Sequence, residues 1–214
     1  MGKILIFGAS ITYGCWDKNG GWVARLRKYI DEKYNQAARG NIYVFNLGVS
    51  GEPVVTLKRF AEGEILRRSS IRGKSVFIYS ISTNDCYPNN AATQELSEPK
   101  KFKNAITHLI KLAGKHNAVP VVLGIPPLNE ETLTTKYKGS LTSLLVRTYS
   151  DLAMSACAET DNLFLDLTRI LSATSYPELL IDGLHPGDEG HQIIFTKVRE
   201  FLNKHALIDL CAKQ

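Results

Sequence analysis

Two segments at opposite ends of the chain contain residue types that together perform nucleophilic catalysis. Ser10 lies in IFGASITYG, where small residues follow a short apolar run and present the serine in a turn. Asp182 and His185 lie close together in DGLHPG, a spacing that lets the carboxylate reach imidazole Nδ1 and orient the ring. Pro186 favours an extended backbone at His185, which keeps that side chain out of the following helix. A serine nucleophile, a basic histidine and an orienting acid, together with donors for an oxyanion, are the groups that acyl transfer needs.

Two further segments could donate hydrogen bonds to an oxyanion. Gly48 and Gly51, in NLGVSGE, allow tight turns and a close approach of the backbone to a ligand. Asn84, in YSISTNDC, has a side-chain amide that can donate to a developing negative charge. Each segment on its own also has a purely structural interpretation, as an ordinary βα turn or as an asparagine that caps its loop.

Other residues could fill some of these roles. Asp166, in FLDLT, is a second candidate for the orienting acid, and Cys15 is a second candidate nucleophile. His191 lies on the apolar stripe of the last helical pattern, which predicts a packed core histidine. A phosphate-binding loop at Ser10 is disfavoured because neither GxxxxGK[ST] nor GxGxxG follows the first apolar run.

The elements that must position these residues alternate along the chain. Five apolar runs predict strands, and most are continuous, as in strands buried on both faces: Lys3–Phe7, Ile42–Asn46, Ser75–Ile81, Val119–Leu123 and Asn162–Leu165. Apolar stripes at helical spacing lie at 23–34, 54–65, 102–113, 141–152 and 191–202. This alternation predicts parallel βαβ units in a doubly wound α/β sheet. Ser10, Gly48 and Asn84 then lie at the carboxyl ends of strands, where such sheets bind ligands.

Taken together and in this order, the segments resemble the four blocks of the SGNH/GDSL hydrolases, which are named for Ser, Gly, Asn and His. The resemblance implies that Ser10 is the nucleophile, His185 the base and Asp182 its orienting acid. It implies an oxyanion hole made of the Ser10 and Gly48 backbone N–H groups and the Asn84 side chain. It also implies a flavodoxin-like, three-layer α/β/α sandwich with a five-stranded parallel sheet.

The resemblance spans residues 8–185, with two departures from the family pattern. Ala9 stands where the first block usually has aspartate, and Ser82 stands where the third block usually has glycine. Neither change removes a group with a predicted catalytic role. We expect the turn before Ser10 to form with altered local hydrogen bonding.

Composition restricts the remaining possibilities. A length of 214 residues predicts a single domain, 1–214. The net charge of +5 comes from basic residues that are dispersed along the chain and not interleaved with aromatic residues, so no nucleic-acid partner is predicted. None of the four cysteines has CxxC spacing, which predicts free thiols and no metal site, although whether Cys15 and Cys86 pair stays open. No signal peptide or membrane span is visible, so a cytoplasmic protein is expected. The chemistry requires no cofactor, and the oligomeric state is not predicted.

The substrate is expected to be a small-molecule ester with a short acyl group. The loops at 87–99 and 126–139 contain few large apolar residues, and the pocket is predicted to be lined by Ala9, Tyr13, Tyr87, Pro127 and Leu184. A carbohydrate O-acetyl esterase, a lysophospholipase and a thioesterase are alternatives within the same chemistry. Two other classes stay open: a catalytically idle module that binds a ligand or partner, and a flavodoxin-like binder of flavin or nucleotide.

Overall fold

A five-stranded parallel sheet forms the centre of the molecule. The computed structural model describes residues 2–34, 42–68, 73–87, 97–135 and 137–212. The strands are β1 Gly2–Gly8, β2 Ile42–Gly48, β3 Ser75–Ser80, β4 Ala118–Leu123 and β5 Leu163–Leu165. They pair in parallel in the order β2-β1-β3-β4-β5, which is the flavodoxin-like doubly wound order. The predicted fold class is confirmed, and the observed strands differ from the predicted runs by one or two residues at their ends.

Helices cover both faces of this sheet. Among the described residues they are α1 Ser10–Tyr13, α2 Gly21–Tyr34, α3 Val54–Leu66, α4 Pro99–Lys115, α5 Ser143–Glu159, α6 Leu167–Ser172, α7 Asp188–Lys204 and α8 Leu207–Ala212. Two 3-10 helices, Thr83–Asp85 and Tyr176–Leu179, lie in the connections. The predicted stripes correspond to α2, α3, α4, α5 and α7, whereas the shorter helices were not predicted.

Alternate residues of the central strand β1 build two separate cores. Leu5 and Phe7 pack with α3, α4 and α5 on one face of the sheet. Ile4 and Ile6 pack with α2, α7 and α8 on the other face. Every residue of β1 is buried, as expected for a parallel strand that is covered on both sides. The result is the predicted three-layer sandwich, in which the carboxyl end of β1 opens at the middle of the sheet edge.

The start of α5 corrects one predicted stripe. Thr142 is the N-cap, since its side chain accepts a hydrogen bond from the Leu145 N–H at 3.2 Å, and the helix begins at Ser143. With the helix starting at Ser143, Leu144 is 73% exposed. The apolar stripe at 141–152 had instead predicted that Leu144 lies on the buried face. Tyr149, which belongs to the predicted stripe, is buried, and so is Val146, which the stripe did not include.

A buried carboxylate ties three elements together near the site. Asp85, in the 3-10 helix after β3, is fully buried and accepts the Val54 N–H on both carboxylate oxygens, at 3.0 and 2.9 Å. It also accepts the Ser97 hydroxyl at 3.1 Å, just before α4. Desolvation raises the pKa of Asp85 to about 7, outweighing the opposite effect of these hydrogen bonds. Asp85 thus fixes the start of α3 relative to the loop that carries Asn84.

We expect Asp85→Asn to change how stability depends on pH. Because the folded-state pKa is about 7 and the ordinary value is 3.8, the folded protein keeps a proton that the unfolded chain releases in this range. Asp85 therefore lowers the free energy of unfolding as the pH rises from about 4 to about 7, by at most about 1.4 kcal/mol per pH unit. Denaturant titrations at several pH values measure this as the stability of the wild type minus that of the variant.

Asparagine can keep the local contacts, because its oxygen can accept from Val54 and its amide can donate to Ser97. Asp161→Asn is the matched control, since it removes an exposed carboxylate. A stability difference between the wild type and Asp85→Asn that does not vary with pH would contradict the prediction.

Candidate active site

Ser10 lies in an abrupt strand-to-helix turn at the carboxyl end of β1. The strand ends at Gly8, Ala9 is the N-cap of α1, and Ser10 is the first helical residue. A Cβ at Gly8 would lie 2.2 Å from Thr12 Oγ1, so this close return of α1 over the strand end requires glycine. The Ala9 side chain makes no capping hydrogen bond, and the turn forms without such a bond. This geometry presents the Ser10 side chain at the centre of the sheet edge.

The DGLHPG turn orients His185 through Asp182. Asp182 Oδ1 accepts the backbone N–H groups of Leu184 at 3.0 Å and His185 at 2.7 Å, while Oδ2 lies 2.8 Å from His185 Nδ1. Because a carboxylate only accepts, the proton of the neutral imidazole is on Nδ1 and the other ring nitrogen is an acceptor. That nitrogen, Nε2, lies 2.9 Å from Ser10 Oγ. The structure thus brings the three predicted residues into one hydrogen-bonded chain.

Backbone pairing holds this turn in front of α7. The Ile181 N–H donates to the His185 carbonyl at 2.8 Å, and the Gly187 N–H donates to the Leu179 carbonyl at 3.1 Å. Gly183 adopts φ +79°, and a Cβ there would lie 2.5 Å from the Leu133 nitrogen. Glycine is therefore needed on both steric and conformational grounds, and the turn is rigid on each side of the imidazole.

The environment of Asp182 favours its ionised form. Desolvation on its own raises the pKa of Asp182, but hydrogen bonds from the His185 backbone and imidazole, together with the Leu184 N–H, outweigh it. The net result is a pKa below the ordinary value. A carboxylate that stays charged stabilises the imidazolium that forms when histidine takes a proton.

The loop after β2 gives the Gly48 N–H an acceptor within the protein. The Gly48 N–H donates to Asn46 Oδ1 at 3.0 Å, so this structure does not hold it free for an oxyanion. Asn46 in turn donates to the Thr12 carbonyl at 2.9 Å and joins β2 to the end of α1. Gly51, three residues later, has φ +84°, and nothing lies within 4 Å of a Cβ built on it. No hydrogen bond from the Gly51 N–H is present among the described residues.

Contacts on both sides of Gly51 place it between the loops after β1 and β3. The preceding residue, Ser50, has its Oγ 3.4 Å from Cys15 Sγ. The carbonyl of the following residue, Glu52, accepts the Asn84 side-chain amide at 3.5 Å and the Ser82 hydroxyl at 3.3 Å. Asn46 lies two residues before Gly48 in the sequence, but the direction of its side chain, and so its bond to the Gly48 N–H, is seen only in the structure.

Ser82 contributes to this loop network rather than disturbing it. Its hydroxyl oxygen accepts the Asn84 backbone N–H at 3.3 Å and so caps the 3-10 helix. The same hydroxyl donates a hydrogen bond to the Glu52 backbone carbonyl. The family's usual glycine offers neither contact. The departure at this position therefore links the Asn84 loop more firmly to the loop of Gly51.

The predicted substrate pocket is mostly closed. Of its five residues, Ala9, Tyr87, Pro127 and Leu184 are buried, and Tyr13 is exposed. Tyr87, after β3, and Leu184, in the turn before α7, both belong to the core formed with α3, α4 and α5. Much of the loop at 87–99, including Leu96, lies outside the described residues.

Two cavities of very different size lie near the site. The first is about 10 Å³ and is lined by Ser10 and by residues of the loops after β3 and β4, including Ser82 and Pro126. The second is a largely apolar groove of about 490 Å³ between the end of β2 and α3, and its lining includes Gly48 and Phe60.

The alternative catalytic candidates have other contacts. Asp166 caps α6 by accepting the Arg169 N–H at 3.0 Å and forms an ion pair with that side chain, so it does not orient His185. Cys15 contacts Ser50, whereas the buried Cys86 donates its thiol proton to the Thr83 carbonyl at 3.4 Å. All four cysteines are free, as predicted, and Cys15 and Cys86 are not paired.

His191 is the predicted core histidine, and its contacts support the site. It is fully buried; its Nδ1 accepts the Trp22 N–H at 3.3 Å and its Nε2 donates to the Cys15 carbonyl at 3.2 Å. Desolvation by burial lowers the pKa of His191, which favours the neutral ring that this pattern requires. One residue near the site was missed by the sequence analysis: Trp16, whose ring lies against the imidazole of His185.

Two features are absent from the described residues. They contain no group of three or more His, Cys, Asp or Glu side chains arranged to hold a metal ion. None of the helices within the described ranges has both the length and the apolar character needed to cross a bilayer.

Several solved structures share this fold at low sequence identity. An acetyl xylan esterase superposes with a TM-score of 0.73 at 18% identity, covering 94% of this chain and 99% of its own. An acetylxylan esterase from Geobacillus stearothermophilus has a TM-score of 0.68 at 20% identity, covering 94% and 92%. An alpha/beta hydrolase enzyme from the metagenome of Lake Arreo, Spain, has a TM-score of 0.70 at 20% identity, covering 99% and 96%. These similarities support the fold.

Sequence comparison identifies the family. No curated protein sequence matches the chain. The family model of the GDSL-like lipases and acylhydrolases, however, matches residues 6–193, which include every block described above. The chain therefore belongs to the GDSL-like lipase/acylhydrolase family and is a serine hydrolase that acts on ester bonds.

Proposed function

We propose that Ser10, His185 and Asp182 hydrolyse short-chain carboxylic esters through an acyl-enzyme. The observation that carries the proposal is the hydrogen-bonded chain from Ser10 Oγ to His185 Nε2, at 2.9 Å, and from Nδ1 to Asp182 Oδ2, at 2.8 Å. His185 takes the hydroxyl proton as Ser10 attacks the carbonyl carbon, and then returns it to the departing alcohol. Water, activated by the same imidazole, releases the acid.

The oxyanion is proposed to bind three N–H donors. The Ser10 backbone N–H lies at the start of α1, where N–H groups have no acceptor within the helix. The Asn84 side chain is the second donor, as predicted. The Gly51 N–H replaces Gly48 as the third, a choice supported by the bond from Gly48 to Asn46 and by the open space at Gly51.

The small cavity beside Ser10, where the acyl group of the substrate would bind, supports the proposal that this group is small, such as acetyl. The cavity of about 10 Å³ beside Ser10 has room for roughly one small group. Side chains that would line a longer acyl pocket, such as Tyr87 and Leu184, belong to the core instead. Opening such a pocket would expose apolar surface that the fold now buries.

Within this class, an acetylated carbohydrate is the second candidate substrate. Two structures with the same fold are acetylxylan esterases, although their identity of about 20% supports no more than this proposal. The proposal also takes the chain to act as one domain, because the described helices pack on a single sheet. A reducing compartment such as the cytoplasm is compatible with four free cysteines.

The first test is covalent labelling of Ser10. Wild-type protein treated with a fluorophosphonate should gain the mass of a single adduct, and Ser10→Ala should gain none, because alanine lacks the nucleophilic oxygen. Intact-mass spectrometry measures this directly. Ser155→Ala, which removes a hydroxyl on α5, is the control and should label like the wild type. If folded wild type stays unlabelled, the residues are idle and the fold serves as a binding module.

The second test removes an oxyanion donor. Asn84→Ala should lower kcat for an acetyl ester by about 100- to 1000-fold and change KM little, because the lost bond forms mainly in the transition state. Asn203→Ala, on the exposed side of α7, should keep wild-type rates. Thermal unfolding of both variants separates loss of catalysis from loss of fold. A kcat within a few-fold of wild type would remove Asn84 from the oxyanion hole.

The third test measures acyl-chain length. For p-nitrophenyl esters from acetyl to octanoyl, kcat/KM should be highest for acetyl and fall as the chain lengthens, because the space beside Ser10 is closed. The leaving group is constant in this series, so the trend reports the acyl side alone. A rise in kcat/KM with chain length would instead assign the acyl group to the groove between β2 and α3.

A further inference from the structure

An exposed tryptophan lies against the proposed base. The Trp16 side chain is 63% exposed, and its ring centroid is 5.9 Å from that of His185, with the two planes at 82°. Its backbone has φ +67°, a conformation that bulky residues rarely adopt.

The backbone on both sides of Trp16 is fixed. The Cys15 carbonyl accepts a hydrogen bond from the buried His191 at 3.2 Å. The Asp17 carboxylate accepts the N–H groups of Asn19 at 2.9 Å and Gly21 at 3.0 Å, and it forms an ion pair with Arg25. The unusual φ of Trp16 is therefore imposed by anchored neighbours, and the indole is held at the surface rather than left there by a mobile loop.

Two other large apolar side chains of the adjoining segments are also exposed. Tyr13, at the end of α1, is 62% exposed, and its backbone contacts the loop of Gly48. Ile181, whose N–H pairs with the His185 carbonyl, is 61% exposed. Rigid aromatic groups that stay open to solvent beside a reactive centre are typical of binding surfaces.

The chemistry of the proposed mechanism decides which part of the substrate meets Trp16. Ser10 Oγ forms a bond to the acyl carbon, and the bond from that carbon to the alcohol oxygen breaks. The proton that Ser10 loses moves to His185 Nε2 and from there to the departing alcohol oxygen. The alcohol must therefore leave within hydrogen-bonding distance of His185, and Trp16 lies beside that imidazole.

We propose that Trp16 is a stacking platform for the alcohol half of the substrate and that this alcohol is a sugar ring of an acetylated carbohydrate. The apolar C–H face of a pyranose fits a flat, solvent-exposed indole, while its hydroxyl groups stay in water. This inference rests on the proposed function, since it uses His185 as the proton donor to the leaving group.

The test compares leaving groups at a constant acetyl group. Trp16→Ala should lower kcat/KM for an acetylated xylo-oligosaccharide by about 10-fold, mainly through KM, because a ring-stacking contact is lost. For methyl acetate, whose leaving group is too small to stack, the same variant should stay within about 2-fold of wild type. Trp16→Phe should recover most of the sugar-ester activity. Leu144→Ala, an exposed apolar truncation on α5, is the control.

Each other outcome has a distinct meaning. An equal loss with methyl acetate would overturn the proposal, because Trp16 would then act through His185. An unchanged rate with the sugar ester would also overturn the sugar assignment. If the wild-type protein cleaves methyl acetate but not the sugar ester, the proposed esterase function stands and the sugar assignment is wrong. A wild-type protein that neither cleaves methyl acetate nor labels with a fluorophosphonate fails at the function itself.

Fluorescence provides a second, binding-only measurement. The chain has two tryptophans, of which Trp22 is fully buried, so a ligand that stacks on the surface changes the emission of Trp16. Addition of unacetylated xylotriose to Ser10→Ala should shift or quench this emission in a saturable way. The Ser10→Ala, Trp16→Phe double variant is the blank. A saturable change of the same size in the blank, or none in either protein, would contradict stacking on Trp16.

Discussion

The hydrogen bond between Ser10 Oγ and His185 Nε2 joins two residues that are 175 positions apart, and the rest of the site is arranged around it. Its formation requires two rigid backbone turns. One returns α1 over the end of β1, which the missing Cβ of Gly8 permits. The other is closed by the Asp182 carboxylate, which accepts two backbone N–H groups of its own turn besides the imidazole. The central strand and the entry to α7 bring these turns together, so the parallel sheet acts as the positioning device.

A second set of contacts connects the loops that are proposed to bind the oxyanion. The Glu52 carbonyl accepts from Ser82 and Asn84, while Asp85 accepts from Val54 two residues later. The loop after β2 is thus tied to the loop after β3 by both side-chain and backbone groups. A fully buried carboxylate without a cation among its described partners costs desolvation energy, as its raised pKa reflects. The same contacts hold the proposed oxyanion donors, which follow two separate strands, in one fixed arrangement. Preorganised stabilisation of an oxyanion requires such an arrangement.

The sequence predicts the strands, the fold class and the three members of the hydrogen-bonded chain, because each depends on a local pattern. Continuous apolar runs mark buried parallel strands, and DGLHPG contains both the acid and the base within one turn. The choice between Gly48 and Gly51 could not be made in this way, because it depends on where the Asn46 side chain points. The phase of α5 depends on Thr142 as a cap, which moved Leu144 to the surface. The burial of Tyr87 and Leu184, which were expected to line the substrate pocket, could not be predicted because it is a property of tertiary packing.

The site is asymmetric about Ser10, and this asymmetry has consequences for specificity. On the side of the loops after β3 and β4, packed side chains leave a cavity of about 10 Å³. On the side of His185, Trp16 and Ile181 stay exposed on anchored backbone. A small acyl group gains little binding energy because it buries little apolar surface. Under the proposed mechanism, discrimination between esters comes from the alcohol, whose oxygen receives the proton from His185. A lipase that selects its substrate by the acyl chain needs the reverse arrangement, in which open space beside the serine receives that chain. The described residues therefore favour an enzyme that selects its substrate by the alcohol.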